Sequence, residues 1–138
     1  MNTRTDDHET PRMAAKRALV TGAAGAFGIE TAIALKARGW TVEGLMRNTA
    51  KLQPGHPYAA LHEGDIGKPA NQEFGRFDAV IHAANPPYHL WPKEAMAMLE
   101  GALSMARASG AMFVFPGNIY NFGPDAGHLI REGSPQNP

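Results

Sequence analysis

Three glycines at the spacing G-x-x-G-x-x-G, Gly22, Gly25 and Gly28, constrain this chain more than any other feature. They follow a short apolar run, Ala18-Leu19-Val20, which reads as a strand buried on both faces. A helical pattern follows them. A strand must therefore turn sharply into a helix within a few residues. Each glycine has a physical reason to stand there: Gly22 for the bend, Gly25 for close approach of a ligand to the backbone, Gly28 for tight packing of helix on strand. The helix N-terminus directs free N–H groups and the positive end of its dipole at whatever lies above the turn, which suits a pyrophosphate. The turn from Gly22 through Ala24, Gly25, Ala26 and Phe27 to Gly28 is thus a candidate dinucleotide cradle, and its place between strand and helix is what gives the triplet meaning.

The next sixty residues fit the same scheme. Ile29, Ala32, Ile33 and Leu35 form an apolar helical stripe that stops at Gly39. Trp40 to Met46 reads as a second strand, completing a βαβ unit. No acidic residue stands at the end of that strand to hold a ribose 2′-hydroxyl; Glu43 lies inside it. Arg47 stands there instead, with Asn48 and Lys51 close by, an arrangement that favours the 2′-phosphate of NADP over NAD. The alternative for Arg47 is a solvated surface arginine.

Further along, Tyr58 to His62 is expected to be a third strand, Pro69 to about Phe74 a short helix, and Asp78 to Ala83 a fourth strand. Asn85-Pro86-Pro87 forms a rigid loop. Pro92 opens a long helix that stops before Gly110, with Met96, Leu99, Leu103 and Ala106 as its expected buried face. A methionine stripe at that spacing reads as core rather than cofactor contact. Ala111 to Phe115 is the fifth strand, and Gly123 to Pro138 carries no clear element.

The 138 residues suffice for one domain. Hydrophobic residues at 43% and charged residues at 19% fit a globular chain. A formal net charge of zero supports neither nucleic acid nor an anionic membrane as partner. The absence of cysteine excludes disulfides and thiolate chemistry, and the six histidines show no ligand spacing. His82, at the end of the fourth strand, is expected to be structural. No metal site, membrane span or secretory leader is read, so the cytoplasm is the expected compartment. Residues 1–15 read as a flexible lead-in and 16–138 as the folded domain.

Four segments together resemble the N-terminal part of extended or atypical short-chain dehydrogenase/reductases, the NAD(P)-dependent epimerase/dehydratase group. Thr21-Gly22-Ala23-Ala24-Gly25-Ala26-Phe27-Gly28 is similar to that group's T-G-x-x-G-x-x-G turn. Gly64-Asp65-Ile66 resembles the segment beside the adenine. Asp78-Ala79-Val80-Ile81-His82-Ala83-Ala84 resembles its D-x-V-I-H-x-A strand. Ile119-Tyr120 with Gly123 resembles the V-Y-G turn, with two extra residues before the glycine. The resemblance implies a Rossmann-like doubly wound α/β fold, a parallel sheet of five strands in order 3-2-1-4-5. It also implies cofactor contacts at Asp65, Ile66, Ala83, Ala84 and Asn85 beside the glycine turn and Arg47. The implied activity is hydride transfer on a sugar nucleotide or another small carbonyl or hydroxyl substrate.

Two departures bear on chemistry. Pro116 stands where the family has a catalytic Ser or Thr. The family's Y-x-x-x-K pair, in which the lysine lowers the phenol pKa for proton transfer, has no counterpart: none of Tyr58, Tyr88 and Tyr120 has a lysine four residues later. The catalytic residues are therefore unknown, and the chain reads as truncated and inactive alone, or as a dinucleotide-sensing protein. Asn118 is either a substrate contact or a turn residue. The fifth strand, apolar and without charge, is expected to lie at the sheet edge and to pair with a missing sixth strand or with a second subunit in a homo-oligomer.

Overall fold

The computed structural model describes residues 14–68 and 74–138. The expected lead-in lies almost wholly outside the described residues, as does the short helix expected from Pro69. The elements run β1 (Arg17–Thr21), α1 (Ala26–Ala37), β2 (Thr41–Met46), β3 (Ala60–Glu63), β4 (Ala79–His82), α2 (Trp91–Ser109) and β5 (Met112–Val114), with short 3-10 turns at Thr49–Lys51 and Tyr88–Leu90. All strand pairs are parallel, and the sheet order is β3-β2-β1-β4-β5, as the resemblance implies.

Parallel strands joined by helices need cover on both faces, and alternation along β1 supplies it. Ala18 and Val20 pack with Val42, Ile81 and Ala32 on the α1 side. Leu19 packs with Leu45, Val80, Ala102 and Ala106 on the α2 side. Two cores thus sandwich one sheet, and β1 at its centre is sealed on both faces.

The helices differ from the expected stripes. α1 begins at Ala26, ahead of Gly28, with Gly25 as its N-cap. Gly28 and Ala32 form its fully buried face, whereas Ile33 is 48% exposed. α2 buries Gly101, Ala102, Ala106 and Ser109, and packs Met98 and Met105 against the core, while Met96 is 64% exposed. The buried face is turned away from the larger side chains because the close approach is made by small ones: a Cβ on Gly101 would lie 1.8 Å from the Ile66 carbonyl oxygen. Gly110, at φ 63, ends α2 as a left-handed cap, as the sequence leads one to expect.

β3 begins at Ala60 rather than Tyr58, because Tyr58 has another task. It is buried on the α1 face, and its hydroxyl donates to the Ala23 carbonyl at 2.8 Å. Burial pushes its phenol up to about 12. β5 is shorter than its apolar run and forms the sheet edge, with Met112, Val114 and Phe115 exposed. Beyond it, residues 116–138 hold turns and no helix or strand.

Two buried polar groups are placed by partners. Glu43 in β2 accepts from the Arg17 guanidinium and pairs with His62 Nε2 at 2.7 Å. Burial alone would raise its carboxyl pKa, but these two partners outweigh that and hold it below its ordinary 4.5. Arg17 also lies over the Phe77 ring at 4.7 Å. His82 is buried at the end of β4, with Nδ1 3.1 Å from the Thr21 hydroxyl, and its ring stacks near Phe113 and Phe115. Burial pushes its imidazole below 6.5.

Two outcomes are expected. Tyr58→Phe strands the buried Ala23 carbonyl and lowers unfolding free energy by about 1 kcal/mol, measurable in urea. The depressed His82 value means that the folded protein binds fewer protons than the unfolded chain. Its contribution is full above pH 6.5 and declines as pH falls through that value. Thermal melts between pH 8 and pH 5 should show this decline, and His82→Asn should flatten it. The Glu43 contribution is lost only below its ordinary 4.5, so the two effects separate along the pH axis.

Candidate functional site

The carboxyl ends of β1, β2 and β4 converge where the strand order reverses, the position at which open parallel sheets form a crevice. Here the crevice is a cleft of about 640 Å³. Its floor is the glycine turn. Gly22 has φ 70, and a Cβ there would meet the Ala84 backbone at 2.6 Å, so neither the conformation nor the space admits a side chain. The Gly22 and Ala23 amides donate to the Leu45 carbonyl at 3.0 and 3.4 Å, which binds the turn to the end of β2. Gly25 is extended at φ −75 and caps α1 with no side-chain hydrogen bond, so the first-turn amides of α1 face the cleft without a capping oxygen. Gly28 is buried beneath, where a Cβ would lie 2.8 Å from the Gly22 carbonyl oxygen.

All the expected cofactor contacts line this cleft except Gly28. Gly22, Ala24, Gly25, Ala26 and Phe27 form the floor, Arg47 stands at the β2 end, Asp65 and Ile66 follow β3, and Ala83, Ala84 and Asn85 follow β4. Asn48 and Lys51 join Arg47 on the same wall. The Asn48 side chain accepts from the Ala50 amide at 3.0 Å and so starts the turn that carries Lys51.

The sequence reading missed the opposite wall. Lys93, Glu94, Ala97 and Met98 of α2 line the cleft, with Gly64, Gly67 and Lys68 of the loop after β3. Met98 serves core and cleft together, a double role that a buried-face argument does not separate. The available signal was the small residue at Ala97, one turn from Gly101, which lets helix and loop approach. Four cations, Arg47, Lys51, Lys68 and Lys93, face two carboxylates, Asp65 and Glu94, so the lining charge is positive although the whole chain is neutral. An excess of cations above an uncapped helix start matches a phosphate-bearing ligand.

Pro116, Asn118 and Tyr120 lie apart from this cleft. The Asn118 side chain accepts from the Tyr120 amide at 3.0 Å, the geometry of a turn residue, and Tyr120 is 70% exposed. Among the described residues no cluster of His, Asp or Glu could hold a metal ion, and no helix is long and apolar enough to cross a membrane.

Comparison with known proteins agrees with this geometry. Solved structures similar to the chain include a UDP-galactose 4-epimerase, at 24% identity and a TM-score of 0.68 over 88% of this chain and 45% of that one. The Bordetella bronchiseptica enzyme WbmH in complex with NAD+ matches at 22% identity and a TM-score of 0.67, over 90% of this chain and 47% of that one. The Bifidobacterium longum UDP-glucose 4-epimerase in complex with NAD+ and UDP matches at 18% identity and a TM-score of 0.69, over 88% and 43%. These likenesses establish a shared fold, and the chain spans less than half the length of each of these three structures. No curated protein matches the sequence. The model of the NAD dependent epimerase/dehydratase family matches residues 18–132, and the chain belongs to that family.

Proposed function

We propose that this chain is the NADP-binding part of an epimerase/dehydratase-like oxidoreductase, with the cleft above the glycine turn as the cofactor site. The observation that carries the reading is the placement of Arg47, Asn48 and Lys51 together on the cleft wall at the end of β2, where the neighbouring Glu63 carboxylate accepts from the Thr49 amide and hydroxyl, both at 3.2 Å, and is not among the lining residues. A guanidinium and an ammonium at that place suit a 2′-phosphate, whereas a ribose 2′-hydroxyl calls for an acceptor.

The residues fit such a ligand on physical grounds. Gly25 leaves the floor of the cleft open to a ligand, since a Cβ there meets only the Gly22 carbonyl oxygen at 3.3 Å, the α1 amides offer donors, and Lys68 and Lys93 add positive charge. Ile66, Ala97 and Met98 offer apolar surface for a flat base, and Asp65 an acceptor for an exocyclic amine. A bound nicotinamide dinucleotide would supply hydride transfer. The chain's own residues bind and orient it: the turn holds the pyrophosphate, Arg47 the 2′-phosphate, and Ala83, Ala84 and Asn85 border the sugar. Pro116 offers no hydroxyl for proton transfer, and none of Tyr58, Tyr88 and Tyr120 has a lysine four residues later. The substrate class of the whole protein is a sugar nucleotide or another small carbonyl or hydroxyl compound, and the chain by itself is inactive. The expected setting is the cytoplasm.

Pro116 at the hydroxyl position favours a second reading, a catalytically silent dinucleotide sensor. A Y-x-x-x-K pair in the coding frame after Pro138 decides for the enzyme, and a frame without one decides for the sensor.

Calorimetric titration is expected to show NADPH binding more tightly than NADH; equal or reversed affinity would remove the role given to Arg47. Arg47→Ala should weaken NADPH by about tenfold and change NADH by less than about twofold. The glycines should separate fold from binding. Gly22→Ala is expected to lose about 2 kcal/mol or more of stability, from the positive φ and the Ala84 contact. Gly25→Ala meets only the Gly22 carbonyl oxygen at 3.3 Å, so it should fold normally and bind either dinucleotide poorly.

A further inference from the structure

The closest approach of helix to loop in the cleft wall lies behind it, where α2 crosses the segment after β3. Gly101 does not line the cleft. It sits fully buried on the inner face of α2, where a Cβ would fall 1.8 Å from the Ile66 carbonyl oxygen and 3.0 Å from its carbon. Both atoms are backbone, so no side-chain rotation relieves the overlap. Reaching even a tight 3.0 Å from the oxygen needs a separation of about 1 Å between the two chains.

We propose that Gly101 is a positioning residue for the dinucleotide: its missing side chain lets α2 seat against the Ile66 carbonyl, and this contact fixes the loop that presents Asp65 and Ile66 to the ligand. The proposal rests on the dinucleotide reading of the cleft. It extends that reading to a residue outside the cleft and to the adenosine half of the ligand in particular.

α2 is held by Ala102 and Ala106, both buried against Leu19, Leu45 and Val80. The loop is held to the sheet by the Gly64 amide, which donates to the Met46 carbonyl at 2.9 Å. Among the described residues, two further bonds lie within the loop: the Gly67 amide donates to Asp65 Oδ1 at 3.0 Å, and the Lys68 amide to the Asp65 carbonyl at 3.1 Å. These bonds tie Asp65 to Gly67 and Lys68, and Ile66 between them packs in the same core as Ala102 and Ala106, so an overlap at the Ile66 carbonyl is passed on to Asp65. On the far side of Gly67, a Cβ would meet Met98 and Ala97 at 3.6 and 3.7 Å, ordinary contact distances. Overlap is thus concentrated at Gly101. A side chain there displaces the wall that carries both the acceptor Asp65 and the apolar face of Ile66, while the glycine turn and Arg47 stay in place.

The test compares Gly101→Ala with Ala106→Gly. Ala106 is buried on the same helix face and does not line the cleft, so its variant reports the effect of destabilising α2. ADP serves as the probe because it carries the adenosine half shared by both cofactors. Gly101→Ala should weaken ADP by about tenfold in protein shown to be folded, while Ala106→Gly lowers the melting temperature and leaves ADP affinity within about twofold. Wild-type binding of ADP with Gly101→Ala unchanged, or with both variants weakened alike, overturns the role of Gly101 and leaves the dinucleotide reading standing. Absence of ADP binding by the wild type overturns that reading and this inference with it. If Gly101→Ala does not fold, the wild type decides by NMR. The Gly101 amide should shift at saturating ADP through its contact with Ile66, and a Gly101 resonance that stays fixed while those of Asp65 and Ile66 move overturns the proposal.

Discussion

The contact between Gly22 and the backbone of Ala84 holds the functional end of the molecule together. A left-handed glycine lies against the chain leaving β4, its amide is bonded to the end of β2, and the next carbonyl receives the Tyr58 hydroxyl. Three separate stretches of sequence meet at one turn of backbone. The floor of the cleft is therefore as rigid as the sheet beneath it, and ligand contacts made by backbone amides need no ordering of side chains. Rigidity here follows from backbone packed on backbone, which no rotamer change can loosen.

Charge is distributed with the same economy. Inside the sheet, Glu43 is neutralised locally by Arg17 and hydrogen-bonded to His62, so β2 carries an ionised carboxylate in a buried position without exporting a field. At the carboxyl ends of the strands the cations of the cleft are arranged toward open solvent instead. A chain of zero net charge thus presents one locally positive concavity, and attraction of a phosphate-bearing ligand comes from arrangement rather than from total charge.

The sheet order came with the family resemblance, whereas the glycine turn and the strand ends that border the cleft were legible because each rests on a local rule: apolar runs for doubly buried strands, glycine where the backbone bends or is approached. The errors share a different cause. The helix stripes were read by side-chain size, and both helices turned out to bury their small residues. Ala32 and Ala106 are buried as expected, but Ile33 and Met96 point outward, while Gly28, Gly101 and Ala102, absent from the expected stripes, point inward. Tyr58 was placed in β3 by β-propensity, but a hydrogen bond to a turn thirty-five residues earlier decides its position. The α2 wall of the cleft was invisible for the same reason: which face a helix shows depends on how closely its small residues allow it to approach, and a list of large apolar residues contains none of that information.

The strand at the far edge of the sheet has a consequence of its own. β5 has Met112, Val114 and Phe115 exposed, and from Ala111 to Phe122 the sequence contains no charged residue. Natural sheet edges usually carry a lysine, a proline or a bulge that discourages another strand from joining. None stands within this strand, and a molecule of balanced charge exerts little long-range repulsion on its copies. Among the described residues the sheet is thus sealed chemically at its centre and uncharged along its β5 edge.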